Sequence, residues 1–186
     1  MTEPDYFDDL YAHADDPWRL ASSPYEARKY ALTVAALPCR RYRRAFEPGC
    51  AIGVLTAMLA LRCDALVAWD GAARALEQAK RRVRAPHVCF ALQRVPGDWP
   101  RGSFDLIVVS ELLYFLSGTD RAGVRDRAVA SLEPGGHLVA VHWRHAFAEA
   151  ATDGDQAHAE LAADGALRRV VEHVESDFRL DVWQRR

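Results

Sequence analysis

The chain of 186 residues is poor in the features that would commit it to a special environment. Its four cysteines, Cys39, Cys50, Cys63 and Cys89, form none of the close pairs that zinc or thiol–disulfide motifs require, so a reduced, intracellular protein is expected. The longest apolar run, "AIGVLTAMLAL", stops at eleven residues, against the roughly twenty needed to cross a bilayer. The first residues, "MTEPDYFDDLY", are acidic where a secretory signal needs positive charge followed by an apolar stretch. A cytoplasmic location with no membrane span is therefore expected. The formal net charge is only −2, so no global field recruits nucleic acid or an anionic membrane. Repeats, low-complexity segments and long Pro/Gly/Ser linkers are also missing, which argues for one domain over 1–186.

What is present is an ordinary globular balance, 50% hydrophobic and 27% charged, enough to bury a core without disulfides or metal. The acidic "DYFDDLYAHADD" and the basic "RRYRR" and "KRRVR" read as solvated helix faces or element edges. Periodicity predicts helices over 5–14 and 23–36, the second opening after Ser22 and Ser23 and closing at Pro38. From there strands and helices alternate: strands at 43–48, 64–70, 87–92, 104–110 and 137–143, and helices at 53–62, 72–84 and 120–132, the last closed by "EPGG". The β-branched run "FDLIVVS" is the kind buried on both faces. After a helix at about 154–164, "LRRVVEHVES" and "DFRLDVWQRR" read as a hairpin. The expectation is an α/β Rossmann-like fold: seven strands, mostly parallel with the last antiparallel, and helices on both faces. Residues 1–38 are an N-terminal helical segment and 43–186 the core.

In such a sheet the loop after the first strand is the usual ligand cradle. Here it reads "FEPGCAIG", with Gly49 and Gly53 in the loop and Glu47 just before it. Asp70 ends the second strand 21 residues after Gly49, where a carboxylate accepts hydrogen bonds from an adenosine ribose. The dinucleotide pattern G-x-G-x-x-G is broken, because Ala51 stands at the middle place. A carboxylate at Glu47 is a poor neighbour for phosphate and a good one for a cation. S-adenosylmethionine, with a sulfonium, an ammonium and no phosphate, matches that preference. A nicotinamide-dependent oxidoreductase shares the sheet and Asp70 but lacks the middle glycine.

Over nearly its whole length the chain resembles the class I S-adenosylmethionine-dependent methyltransferases, and within them the NodS-like family of nodulation N-methyltransferases. The glycine loop, Asp70 and "LEPGGHL" are generic to the superfamily, whereas "DPW", "SPYEARKY", "SELLYFL" and "VHW" narrow the resemblance to that branch. It implies a cofactor loop of Glu47, Gly49, Cys50 and Gly53, ribose binding by Asp70, and N-terminal helices carrying Trp18 and Arg28 over the cofactor, with Arg28 against its carboxylate. Ser110, closing the fourth strand, joins that set. The acid that many relatives place after the third strand for adenine is missing from "ALQRVPGDWP", leaving the Val95 backbone or Asp98 for the purpose. The implied reaction is methyl transfer to a small molecule, N-methylation of an amine such as an amino sugar or oligosaccharide. O-methylation and a non-catalytic module that binds S-adenosylmethionine are the alternatives. The protein is expected to be a monomer or homodimer without nucleic-acid or membrane partners.

Methyl transfer from a sulfonium needs an aligned nucleophile and at most one base, so acceptor groups are sought after the fourth and fifth strands. Glu111 and Tyr114 follow the fourth, and His142 with Trp143 ends the fifth. Glu111 either grips an acceptor ammonium and takes its proton or is a charge at a helix N-terminus. His142, with an ordinary pKa of roughly 6.5, is either the base or a structural hydrogen-bond partner. Trp99 and Tyr114 are candidates for a stacking surface or for plain packing. His142, His145 and His158 are not read as a metal site, since "HWRH" leaves a strand, where residues three apart diverge. His158 is assigned to a cover of the acceptor site or to the surface.

Overall fold

The computed structural model describes residues 4–186. Its elements, in chain order, are α1 (Pro4–His13), α2 (Pro24–Ala35), β1 (Tyr42–Pro48), α3 (Val54–Ala60), β2 (Cys63–Asp70), α4 (Ala73–Arg82) and β3 (Val88–Leu92). Then come β4 (Phe104–Ser110), a 3-10 turn (Leu113–Phe115), α5 (Gly118–Ser131), β5 (Leu132–Trp143), α6 (Gly154–Ala162), β6 (Leu167–Val174) and β7 (Phe178–Arg185). The strands form one seven-stranded sheet in the order β3-β2-β1-β4-β5-β7-β6. Pairing is parallel at β1–β2, β2–β3 and β4–β5, and β7 runs antiparallel to both β5 and β6. Among the described residues no helix is long and apolar enough to cross a membrane.

The chain divides into two compact units, one ending at Arg94 and the other running from Val95 to Arg186. The division falls after β3: α1 packs on α4 and α2 on α3, so the N-terminal helices belong with the first three strands.

In the first unit, Ser23 accepts the Glu26 amide and Pro24 takes the first helical place, so of the two serines it is Ser23 that caps α2. The loop from β1 to α3 turns on Gly49 and Gly53, both at positive φ. A Cβ on Gly53 would lie 2.9 Å from the Ala79 Cα. This glycine therefore lets α3 and α4 approach each other, rather than leaving room for a ligand. The basic run at 80–84 ends α4, with Lys80 paired to Glu77 and Arg82 donating to the Ile52 carbonyl. Cations there also suit the helix C-terminus.

In the second unit, β4 is buried on both faces, as its β-branched run requires. The "EPGG" segment differs from expectation. It lies inside β5, where pairing with β4 jumps from Phe104↔Leu132 to Leu106↔His137, so the ladder resumes around a bulge that Gly135 turns at φ 79°. The outer strand β6 is mostly exposed and carries Arg168, Arg169, Glu172 and His173, charges that blunt an unpaired edge.

Gly53→Ala combines a strained φ with a clash against backbone, so it should destabilise the fold by about 2–4 kcal/mol, measured as a drop in the urea midpoint at constant slope. A loss below about 1 kcal/mol would show that α3 and α4 separate cheaply.

Candidate functional site

The first unit gathers its polar groups at the carboxyl ends of β1 and β2. The Gly49 and Cys50 amides both donate to the Trp69 carbonyl, at 2.8 and 2.9 Å, which closes the loop onto the end of β2. One residue on, the Asp70 carboxylate accepts the Ala51 amide at Oδ2 and the Ala72 amide at Oδ1, both at 2.8 Å. Ala51 is held at φ 47°, an uncommon conformation for a residue with a Cβ, and its amide thereby meets Asp70. Burial raises the Asp70 pKa and the backbone amides partly oppose it. Each Asp70 oxygen keeps a second lone pair, so a ribose hydroxyl is within its capacity.

Glu47 is treated differently. It is 2% exposed and its Oε2 makes no hydrogen bond of good geometry; the buried Thr56 hydroxyl beside it is likewise without one, yet lies near enough to hold the carboxyl's pKa down in part. Burial pushes its carboxyl up to about 8. An unpartnered buried carboxylate is costly unless a cation completes it. Among the groups of S-adenosylmethionine, the ammonium fits that need, and phosphate does not.

α1 lies over this loop. Tyr11 packs with Ile52 of the loop and with Ala72 and Ala75 at the head of α4, and Asp8 accepts the Ala73 amide. The Tyr11 hydroxyl is buried without a partner, its pKa raised by burial and then by Asp70. Trp18 stacks edge-on against Tyr11 at 5.6 Å and remains 39% exposed. Arg28 sits on the exposed side of α2, beside a buried Lys29 that pairs with Glu26. The Cys50 side chain is packed with Ala68, Leu76 and Ala79, so it belongs to the core and offers no thiol to a ligand. Val95 is half-buried and Asp98 exposed, in the turn that opens the second unit.

In the second unit, Glu111 follows β4 at φ 53°, with its amide donating to the Val141 carbonyl. Such strain in a residue that is not glycine persists where surrounding contacts impose it, and it clusters at functional sites. Here the contacts are explicit: Glu111 Oε2 accepts both the Tyr114 hydroxyl and the Trp143 amide. The sheet thus brings Glu111, Tyr114 and Trp143 together, and Ser110, half-buried, ends β4 beside Val141. Glu111 is not a helix N-terminal charge, because a 3-10 turn follows it and α5 begins only at Gly118. Tyr114 is 5% exposed and packs edge-on against Phe115, His142 and Phe147, and Trp99 donates its indole N–H to Ser131.

His142 is fully buried and both ring nitrogens are engaged: Nε2 accepts the Leu113 amide at 3.1 Å, and Nδ1 meets His158 Nε2 at 3.0 Å. It therefore has no nitrogen directed at an acceptor, which argues against the role of base. His158 is also buried, not at the surface, and bonds Asp181 at 2.6 Å. His145 turns away to Asp177, so the three imidazoles do not converge.

Tyr11 and Thr56 were not singled out by sequence, and Ala51 only as the break in the dinucleotide pattern. Tyr11 follows Phe7 by one helical turn and was legible as an inward face, but nothing local marked its hydroxyl as lacking a partner.

A family model described as nodulation protein S (NodS) matches residues 7–177. Nodulation protein S of Rhizobium tropici is 37% identical over 131 residues, which are 68% of this chain and 54% of that protein. The chain thus spans about half the length of that curated relative. A crystal structure of a candidate methyltransferase from Pseudomonas syringae is 47% identical, with a TM-score of 0.77 over 87% of this chain and 99% of that one. The N-methyltransferase NodS from Bradyrhizobium japonicum WM9, solved in complex with S-adenosyl-L-homocysteine, is 29% identical, with a TM-score of 0.87 over 98% of each chain. The resemblance seen in the motifs and the reversed last strand read from the tail both hold, and the chain belongs to the NodS family.

Proposed function

We propose that this protein is an S-adenosylmethionine-dependent N-methyltransferase of a small-molecule amine, with residues 1–186 acting as one methyltransferase domain. The observation that carries the reading is Glu47, a buried carboxylate whose Oε2 lacks a partner, beside a loop whose amides are closed onto the end of β2. Glu47 would hold the cofactor's ammonium and Asp70 its ribose. Trp18 and Arg28 would close over it from the N-terminal helices, and Gly49, Ser110 and the Val95 backbone would complete the cradle. Bound there, S-adenosylmethionine supplies a methyl group already activated by positive sulfur. The similar Bradyrhizobium japonicum protein, an N-methyltransferase solved with S-adenosyl-L-homocysteine, supports both the cofactor and the reaction class.

The acceptor amine is gripped by Glu111. Its carboxylate is already oriented by Tyr114 and the Trp143 amide, and a carboxylate can accept more bonds than these two. An amine enters largely as an ammonium at neutral pH. It must give up a proton before its lone pair forms the new carbon–nitrogen bond as the carbon–sulfur bond breaks. Glu111 can hold that ammonium by a charge-assisted bond and receive the proton. An amino sugar or oligosaccharide carrying a free amine is the acceptor class proposed. Methyl uptake into glucosamine oligomers but not into their N-acetylated forms would support it, and uptake into hydroxyls alone would replace it with O-methylation.

Three outcomes test this reading. Glu47 is protonated in the free protein below about pH 8, whereas an ammonium partner favours the ionised form. Binding of S-adenosylhomocysteine should then release a proton and tighten by up to about tenfold per pH unit between pH 6 and 8. Calorimetry in two buffers of different ionisation enthalpy reads this directly. Asp70 is shifted in the same direction, so Glu47→Gln, which should flatten most of the dependence, separates the two. The same shift makes the free fold lose stability as pH rises from the ordinary carboxylate range toward 8, since the unfolded chain gives up that proton earlier.

Asp70→Ala should weaken S-adenosylhomocysteine at least about tenfold, the loss of one charge-assisted hydrogen bond. Undiminished affinity would place the ribose elsewhere. Glu111→Gln should lower kcat/KM for the amine by roughly 10- to 100-fold and leave cofactor affinity intact. Equal loss of both would assign Glu111 to the cofactor instead.

A further inference from the structure

The second unit contains a buried polar chain that the proposed reaction does not use. It starts at the Leu113 amide, passes through both imidazoles and ends on Asp181 of β7, with His142 and Asp181 0% exposed and His158 1%. The hydrogen bonds determine its tautomers. Because the Leu113 N–H donates to His142 Nε2, that nitrogen carries no proton, so a neutral His142 is protonated at Nδ1 and donates to His158 Nε2. His158 Nε2 is then an acceptor, and its Nδ1–H donates to Asp181 Oδ2. The three bonds of the chain are all made with both histidines neutral and Asp181 ionised, while Asp181 Oδ1 has no hydrogen bond and faces Arg169 at 3.6 Å. Burial lowers the His158 pKa, consistent with that state. Burial alone would raise Asp181, but hydrogen bonds from His158 and Arg179 outweigh it and hold the carboxyl low.

The surroundings are built around this chain. A Cβ on Gly154, the first residue of α6, would collide with the Trp143 carbonyl and lie 3.0 Å from the His142 Cβ, so glycine is what lets α6 bring His158 onto β5. Arg144 grips Asp155 of α6 through Nε and Nη2, and Arg179 and Arg169 supply the positive charge facing Asp181 from β7 and β6, with Glu172 between them. The far end of the chain acts on the 3-10 turn. Leu113 opens that turn, Tyr114 follows it, and Arg121 holds the Leu116 carbonyl just beyond. Tyr114 in turn orients the Glu111 carboxylate.

We propose that His142, His158 and Asp181 are positioning residues, a neutral hydrogen-bonded chain that anchors the Leu113–Phe115 turn and thereby sets Tyr114 and Glu111 for the acceptor amine. The link to the acceptor rests on the methyltransferase reading above, whereas the anchoring of the turn does not. The two are tested apart.

In the free protein, the Leu113 amide should be protected from hydrogen exchange, and imidazole nitrogen shifts should show both rings as Nδ1–H tautomers. His158→Leu should lower the protection of Leu113 at least about tenfold more than that of α3 or β2 amides in the other unit. His158→Gln, whose oxygen can accept from His142 and whose amide can donate to Asp181, should restore it. Unaltered protection in His158→Leu, or an Nε2–H tautomer at His142, would overturn the anchoring whether or not the protein methylates anything. In turnover, His158→Leu should lower kcat/KM for the amine by as much as about 10²-fold, the scale of a 1 Å misplacement, with S-adenosylhomocysteine affinity unchanged. Glutamine cannot relay a proton, so recovery in His158→Gln supports positioning. A Gln variant as impaired as the Leu variant, with Leu113 still protected, would mean that the chain moves protons and would overturn the assignment.

Discussion

Each oxygen of the Asp70 carboxylate accepts one backbone amide, Ala51 from the loop after β1 and Ala72 from the head of α4, and the rest of this end of the first unit depends on this pair of bonds. They tie two segments that are distant in sequence to the end of one strand. Ala51 is drawn into a left-handed conformation to reach the carboxylate. Ile52, the next residue, and Ala72 and Ala75 then form the floor on which Tyr11 of α1 packs. A buried carboxylate is expensive, and the amides offset much of that expense.

Glu47 shows what happens when such partners are missing. It lies at the adjacent strand end, more deeply buried than the half-buried Asp70, but its Oε2 has no hydrogen-bond partner, and its pKa climbs to about 8. Two neighbouring carboxylates thus differ in how far the fold satisfies them. Asp70 is used by the fold and retains spare lone pairs. Glu47 is not used by the fold, and the missing partner is what a cationic ligand would supply.

The second unit repeats this logic with a different outcome. Glu111 is strained at φ 53° and held by Tyr114 and the Trp143 amide, so a carboxylate that could have swung freely from a loop is given one direction. His142, the more obvious base by residue type, is spent inside the protein. Its nitrogens serve Leu113 and His158, and the carboxylate held in one direction beside it is that of Glu111.

Much of this was readable in the one-dimensional pattern. The alternation of strands and helices, the continuous apolar run of β4 and the hairpin at the end specify a mostly parallel sheet with β7 reversed, because period and turn chemistry are local properties. The loop "FEPGCAIG" and Asp70 were legible for the same reason, as a turn and a strand end at a set distance. What sequence alone could not assign is what each side chain faces once distant segments meet. Cys50 and Gly53 stand in the loop, yet packing against α4 directs one to the core and makes the other a point of close approach. His142 and His158 are 16 residues apart and become hydrogen-bonded only because α6 closes on β5 at Gly154. The sequence by itself determined the fold and the place of the loop after β1, through periodicity and spacing. Only tertiary structure decided which buried polar atoms found partners, since that depends on the desolvation and contact of groups far apart in the chain.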